Sequence, residues 1–255
     1  FSCRSLYGLY VNCMWPVIKL IEEDTIKKSG KIVAVSQETL KTLVGVHPRC
    51  VGKIEVIYNA LPREWFHIER RERGNILLFV GRLSEIKGLE YLIEAMPMVK
   101  RDFPDVGLLL VGDGELRGKL ERKVRDLRLK ETVAFKGDLD ESMLLPLYSV
   151  ATALVLPSLY ENCPFSLLQA FASGAPVIAT QIGGVSELID DGETGLLTPP
   201  RDSYGLASAI SKMLVDAQLR SRISHRAKEF ACKNLQLERA VDRLERIYFD
   251  LANKS

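Results

Sequence analysis

From residue 74 onward the chain alternates short, continuously apolar runs with longer segments whose apolar positions recur every three or four residues. The runs NILLFVG (75–81), VGLLLVGDG (106–114), TVAFKGD (132–138), ATALVLPS (151–158) and PVIAT (176–180) predict buried strands, and TGLLTP (194–199) a sixth. Between them, GLEYLIEAMPMVKRD (88–102) places Leu89, Leu92, Ile93 and Met96 on one helical face. Further helices are predicted at 115–129, near 140–148 and at 164–174. Strands with no polar alternation, separated by helices, predict a parallel sheet covered on both faces, a doubly wound α/β layer of Rossmann-like type. Ligands of such sheets bind at the carboxyl ends of the strands, where the strand order reverses. Attention therefore falls on the loops 81–88, 112–116, 137–140, 157–164 and 181–186.

The flanks read differently. After residue 200 helices are predicted near 202–216, 218–232 and 236–252. The last carries Leu237, Val241, Leu244 and Tyr248 among mixed charges, which fits a helix packed on the protein better than one that binds a partner. Upstream, PVIKLIEEDTIKKSG predicts a helix, KIVAVS a strand, QETLKTLVGV a helix and KIEVIYNALP a strand. This β-α-β tail is too short for a full domain. The expected organisation is a residual part of an N-terminal domain over 1–61, a charge-rich connector over 62–74, a ligand-binding domain over 75–235 and a C-terminal helix over 236–255 that packs back toward the N-terminal part. The chain opens on Phe rather than Met, and its start is expected to lie inside a larger parent protein. The opening FSCRSLYGLYVNCMWPVIKL has neither the basic start nor the small-residue cleavage site of a signal peptide, and Arg4, Asn12, Pro16 and Lys19 interrupt it. No stretch of about 18 apolar residues predicts a transmembrane helix.

Composition narrows the chemistry. A net charge of +2 from 35 basic and 33 acidic residues leaves no electrostatic footprint for nucleic acid. The five cysteines, Cys3, Cys13, Cys50, Cys163 and Cys232, form no C-x-x-C pair and fit reduced thiols of a cytoplasmic protein. The histidines His47, His67 and His225 form no metal-ligand motif, so no metal site is expected.

Four loops merit weighing. In VGRLSEIKGLEYL, Gly81 allows close backbone approach, and Arg82 and Lys87 flank a helix start, a natural diphosphate clamp or else ordinary surface charges. VGDGELRG spaces Gly112, Gly114 and Gly118 one residue too wide for a dinucleotide fingerprint and fits a tightly packed turn better. In LYENCPFSLLQAF, Glu161 stands at the rim and Pro164 near the first turn of a helix. The backbone N–H groups of Phe165, Ser166 and Leu167 would then point out of the helix start toward an anion. Gln169 sits deeper in the helix, facing the same pocket or the helix surface. Gly183 and Gly184 open a short helix carrying Glu187, for which ordinary turn roles suffice.

Together AVS (34–36), VIYNALP (56–62), VGRLSEIKGLEYLIEAM (80–96), LLLVGDGE (108–115), VAFKGDL (133–139) and the stretch from PSLYENCPF to GLLTPP (157–200) resemble the nucleotide-sugar-binding C-terminal domain of retaining glycosyltransferases of the GT-B fold, family 4, glycosyl transferases group 1. The resemblance spans about residues 30–250 and lies in six motifs in order. It implies that Arg82 and Lys87 bind the donor diphosphate, doing the work a divalent metal does in other glycosyltransferases, with Gly81 beside them in the donor site. It implies that Glu161, as the first glutamate of the E-x7-E motif, contacts the transferred sugar, and that Phe165, Ser166 and Leu167 hold phosphate and sugar through their amides. Gly137, beside Lys136, would border the base. The family usually has a second glutamate that binds the ribose; here Gln169 stands in its place. The donor implied is a UDP-, GDP- or ADP-sugar, with no other cofactor. The acceptor, a glycan, lipid or small molecule, would be held by the upstream domain, and peripheral membrane contact stays open. The alternative is a non-catalytic nucleotide-sugar-binding or interaction module of the same fold; an epimerase or phosphorylase of GT-B fold fits less well, and an NAD dehydrogenase least.

Overall fold

The computed structural model describes residues 19–71 and 74–253. The described chain divides into two compact units, one of residues 19–57 with 243–253, the other of residues 58–242. In the first unit a helix over 19–28 (α1) precedes β1 (Ile32–Ala34), α2 (Gln37–Val46) and β2 (Ile54–Val56). The two strands pair in parallel, Ile32 opposite Ile54 and Ala34 opposite Val56. Ser36 caps α2, its hydroxyl accepting from the Thr39 amide at 3.0 Å.

The second unit contains a six-stranded parallel sheet. Its strands are β3 (Ile76–Val80), β4 (Gly107–Val111), β5 (Val133–Gly137), β6 (Ala153–Leu156), β7 (Val177–Thr180) and β8 (Leu196–Thr198). They lie in the order β5-β4-β3-β6-β7-β8. The chain thus builds outward from β3 in one direction, then returns to β3's other side with β6. This is the doubly wound order, and its reversal falls between β3 and β6. Consecutive residues such as Leu77, Leu78 and Phe79, or Ala153 to Val155, are wholly buried. Successive strand residues point to opposite faces, so both faces are covered. The helices of this unit are α3 (Leu89–Asp102), α4 (Arg117–Asp126), α5 (Glu141–Val150), α6 (Phe165–Ser173), the single turn α7 (Gly183–Ser186), α8 (Ser203–Val215), α9 (Ala217–Asn234) and the first residues of α10 (Leu237–Ala252). α3 packs on α8, and α6 on α9, where Phe171 and Phe230 meet edge to face at 6.1 Å.

The segment read as a connector is tied into the second unit by apolar and polar contacts. Trp65 is fully buried against Tyr148, and the Arg70 guanidinium donates to the carbonyls of Tyr148 and Ala151, each at 2.6 Å. Cys3 and Cys13 lie outside the described residues; Cys50 and Cys163 are buried and Cys232 is exposed, all as free thiols. Burial pushes the Cys163 thiol up to about 11. Since the thiolate is the reactive form, a maleimide at pH 7.5 should modify Cys232 rapidly and Cys50 and Cys163 only on unfolding. Peptide mass mapping over a time course checks this, and early labelling of Cys163 would contradict it.

Candidate functional site

The reversal between β3 and β6 brings two loops side by side. The β3 loop ends in a turn over Glu85–Lys87, and Gly88 then starts α3 with φ of 62°. A Cβ on Gly88 would collide with the carbonyl oxygen of Pro157 at the end of β6, so glycine is what lets α3 start this close. Leu159 N donates to Ile86 O at 2.7 Å, stitching the two loops together. The consequence is a contact between their side chains. Lys87 Nζ lies 2.6 Å from Glu161 Oε1, in a pair whose side chains are only 20% and 9% exposed. Ser158 Oγ donates to the same Oε1 at 2.9 Å. Ser158 is itself fixed, its carbonyl accepting from the Thr180 hydroxyl at the end of β7. Glu161 Oε2 has no hydrogen-bond partner among the described residues.

Arg82 lies elsewhere. Its side chain is 73% exposed, and Nε donates to Glu115 at 3.2 Å across the ends of β3 and β4. With Gly81 it lines a cavity of about 460 Å³ whose wall also includes Gly112, Gly114, Asp138 and Leu144. The glycines of this wall are required by packing: a Cβ on Gly112 would overlap the Gly81 carbonyl, and one on Gly114 would lie 2.6 Å from Leu83 O. Gly137 stands beneath, its carbonyl accepting from Gly112 N at 2.8 Å. Lys87, Glu161, Phe165, Ser166, Leu167 and Gln169 lie outside that cavity's wall. Between the two clusters the Ser84 hydroxyl is buried without a partner among the described residues.

Helix α6 begins after Pro164, with no side-chain cap. One expectation changes here. The Leu167 amide donates to Pro164 O at 3.1 Å, so the uncommitted amides of the first turn are those of Phe165 and Ser166. The reason is local: the first turn tightens, and the carbonyl before the helix captures an N–H that an open α-helical start would leave free. Leu167 itself is buried, and Phe165 is half exposed. Gln169 is half-buried, its Oε1 accepting from the Tyr148 hydroxyl at 3.0 Å.

Several contributors carried little sequence signal. Asn59 Nδ2 donates to Cys163 O at 2.9 Å and so fixes the residue before Pro164. Tyr58 donates to Glu187 at 3.0 Å; burial first, then this carboxylate, pushes its phenol up to about 12. Gly184 is more than an ordinary turn residue. A Cβ there would overlap the Asn162 carbonyl, and Gly184 N donates to Glu161 O at 3.3 Å. The Gly183-Gly184 pair was the available signal; the partner loop could not be named from the pair alone.

Among the described residues no group of three or more His, Cys, Asp or Glu is placed to hold a metal ion, and no helix is long and apolar enough to cross a membrane. The family model described as glycosyl transferases group 1 matches residues 63–230. An alpha-D-kanosaminyltransferase of Streptomyces kanamyceticus is 32% identical over 92% of this chain and 64% of its own length. A glycogen synthase of Mycobacterium tuberculosis is 32% identical over 83% of this chain and 52% of its own. Among solved structures, a sucrose-phosphate synthase from Thermosynechococcus elongatus superposes with a TM-score of 0.83 at 27% identity, over 92% of this chain and 62% of that one. The chain spans between about half and just under two thirds of the length of these relatives.

Proposed function

The chain belongs to the glycosyl transferases group 1 family, and from that premise we propose that it is the donor-binding part of a retaining glycosyltransferase acting on a nucleotide-diphospho-sugar. The observation that carries this reading is the Lys87–Glu161 pair at the sheet's reversal point, where a cation and a carboxylate share one buried junction. In this reading Lys87 and Arg82 face the diphosphate. The uncapped amides of Phe165 and Ser166 supply further donors to phosphate. Glu161, anchored through Oε1, offers Oε2 to sugar hydroxyls. The base lies over the cavity beside Gly81, Gly137 and Asp138, and Gln169 reaches the ribose.

The chemistry follows from charge. Cleaving the bond between the sugar and its phosphate builds positive charge on the sugar ring and negative charge on the departing diphosphate. Fixed cations and amides directed at that diphosphate are stronger partners in the transition state than in the ground state, which is what accelerates the step. The first unit is read as the tail of an acceptor-side domain, and the acceptor as a glycan, lipid or small molecule. The free thiols Cys50, Cys163 and Cys232 support a cytoplasmic location.

A calorimetric panel of UDP-, GDP- and ADP-sugars tests the reading. One of them should bind, and the double variant Arg82→Ala with Lys87→Ala should lose it. Binding of none, or equal binding by the double variant, would sink the assignment. Glutamine at position 169, where the family motif has its second glutamate, favours a second reading, a module that binds the donor without transferring it. Release of free sugar from the bound donor, absent in Glu161→Ala, would decide for the enzyme.

A further inference from the structure

Gln169 is not free to present either end of its amide to a ligand. Its Oε1 accepts from the Tyr148 hydroxyl at 3.0 Å. The same hydroxyl also reaches Ser166 O at 3.3 Å, a longer contact to a carbonyl inside α6 whose second lone pair remains after the helical ladder. Tyr148 has little room to move. Its ring is wholly buried and lies edge-on to Trp65, with centroids 5.2 Å apart and planes at 86°. The Trp65 indole N–H donates in turn to Glu141, and Arg70 clamps the backbone carbonyls of Tyr148 and Ala151. Burial also holds the phenol well above its ordinary range, so the hydroxyl stays a donor. A buried donor needs an acceptor. The nearer acceptor is the Gln169 oxygen, and an amide that turns its oxygen inward to it turns Nε2 outward; Nε2 has no partner among the described residues.

We propose that Tyr148 is a positioning residue that sets the hydrogen-bonding polarity at position 169, holding the Gln169 oxygen inward and presenting Nε2 to the nucleotide ribose. The inference rests on the donor-site reading above. It gives position 169 a character opposite to that of a carboxylate. A carboxylate would accept from Tyr148 with one oxygen and from ribose hydroxyls with the other, whereas the outward NH2 group can only donate. The ribose hydroxyls must then act as acceptors at this wall of the site.

The test is a calorimetric comparison of UDP, GDP, ADP and their 2′-deoxy counterparts, with thermal unfolding read alongside. It uses the parent chain, Tyr148→Phe, Gln169→Glu, the double variant and Gln169→Ala. Tyr148→Phe keeps the ring and its Trp65 contact but frees the amide to turn its oxygen outward. Expected are at least threefold tighter binding of the preferred diphosphate by Tyr148→Phe, a similar gain for Gln169→Glu, and no further gain when the two are combined. Independently of any Tyr148 variant, Gln169→Glu should prefer ribose over 2′-deoxyribose more strongly than the parent does. A merely structural Tyr148 would instead give weaker binding in both backgrounds, and that result, unchanged affinity in Tyr148→Phe, or equal discrimination by Gln169→Glu would overturn the proposal. If Gln169→Ala binds every diphosphate as the parent does, the ribose assignment itself fails and the proposal with it, an outcome distinct from a Tyr148 failure at an intact ribose contact.

Discussion

Lys87→Ala is expected to lower both stability and donor affinity, and Arg82→Ala to lower affinity alone. The two cations differ in surroundings. Lys87 neutralises the buried Glu161 carboxylate, and alanine would leave that carboxylate with the Ser158 hydroxyl as its remaining partner. Removing one member of a buried ion pair costs about 3–5 kcal/mol. Lys87 retains some solvent contact, so the low end applies: roughly 3 kcal/mol, or about 6–12 °C in midpoint for a chain of this size. The loss comes from the stranded charge, so Glu161→Gln added to Lys87→Ala should restore most of the stability and none of the binding. Arg82 pairs with Glu115 in the open, where screening leaves such contacts little worth. Its removal should leave the midpoint unchanged. On the binding side each lost charge-assisted phosphate contact should weaken donor affinity about 10–100-fold. Thermal unfolding and calorimetry on the four proteins read both quantities. Equal stability of Lys87→Ala and Arg82→Ala would show that the Lys87–Glu161 contact contributes nothing in solution.

That difference between the two cations was invisible along the chain, where Arg82 and Lys87 stand five residues apart in one loop and read as a matched clamp. The strands and helices were legible because burial on both faces leaves its mark residue by residue: ILLFV, LLLV and ALVL carry no polar position. The position of the reversal point, where the candidate site is proposed, was legible for the same reason, since the doubly wound order fixes where strand ends converge. What the sequence does not carry is which loop meets which. Glu161 finding Lys87 depends on Gly88 admitting the end of β6, and Gln169 finding Tyr148 joins positions 21 residues apart on different helices. Tyr148 lies in the helix predicted near 140–148 and carried no sequence signal of its own; its hydroxyl's role follows from the acceptor it meets. Leu167 was expected among the free amides because the helix start was pictured as an open α-turn, whereas the Pro164 carbonyl closes it.

Gly184→Ala is expected to damage the site as severely as removing a charged residue, though glycine contributes no side chain to it. The added Cβ would sit within the Asn162 carbonyl, a backbone group that no rotamer change can move aside. Either α7 must lift away from the 157–164 loop or the loop must shift, and Glu161 lies on that loop, its own carbonyl accepting from Gly184 N. Overpacking of this kind typically costs about 1–3 kcal/mol. Displacement of Glu161 from its donor contact would add a loss of donor affinity of about 10–100-fold, the worth of one charge-assisted hydrogen bond. Gly118 supplies the control. It lies in the first turn of α4, and a Cβ there meets nothing within 4 Å. Gly118→Ala should therefore leave stability unchanged or raise it, by at most about 0.5 kcal/mol, and leave donor binding unchanged. The pair of variants separates two uses of glycine in one protein, close approach of two loops and an incidental helical position. Matching unfolding midpoints and donor affinities for Gly184→Ala and the parent would mean that the α7 turn relaxes at no cost, and that Glu161 is held by Lys87 and Ser158 without its help.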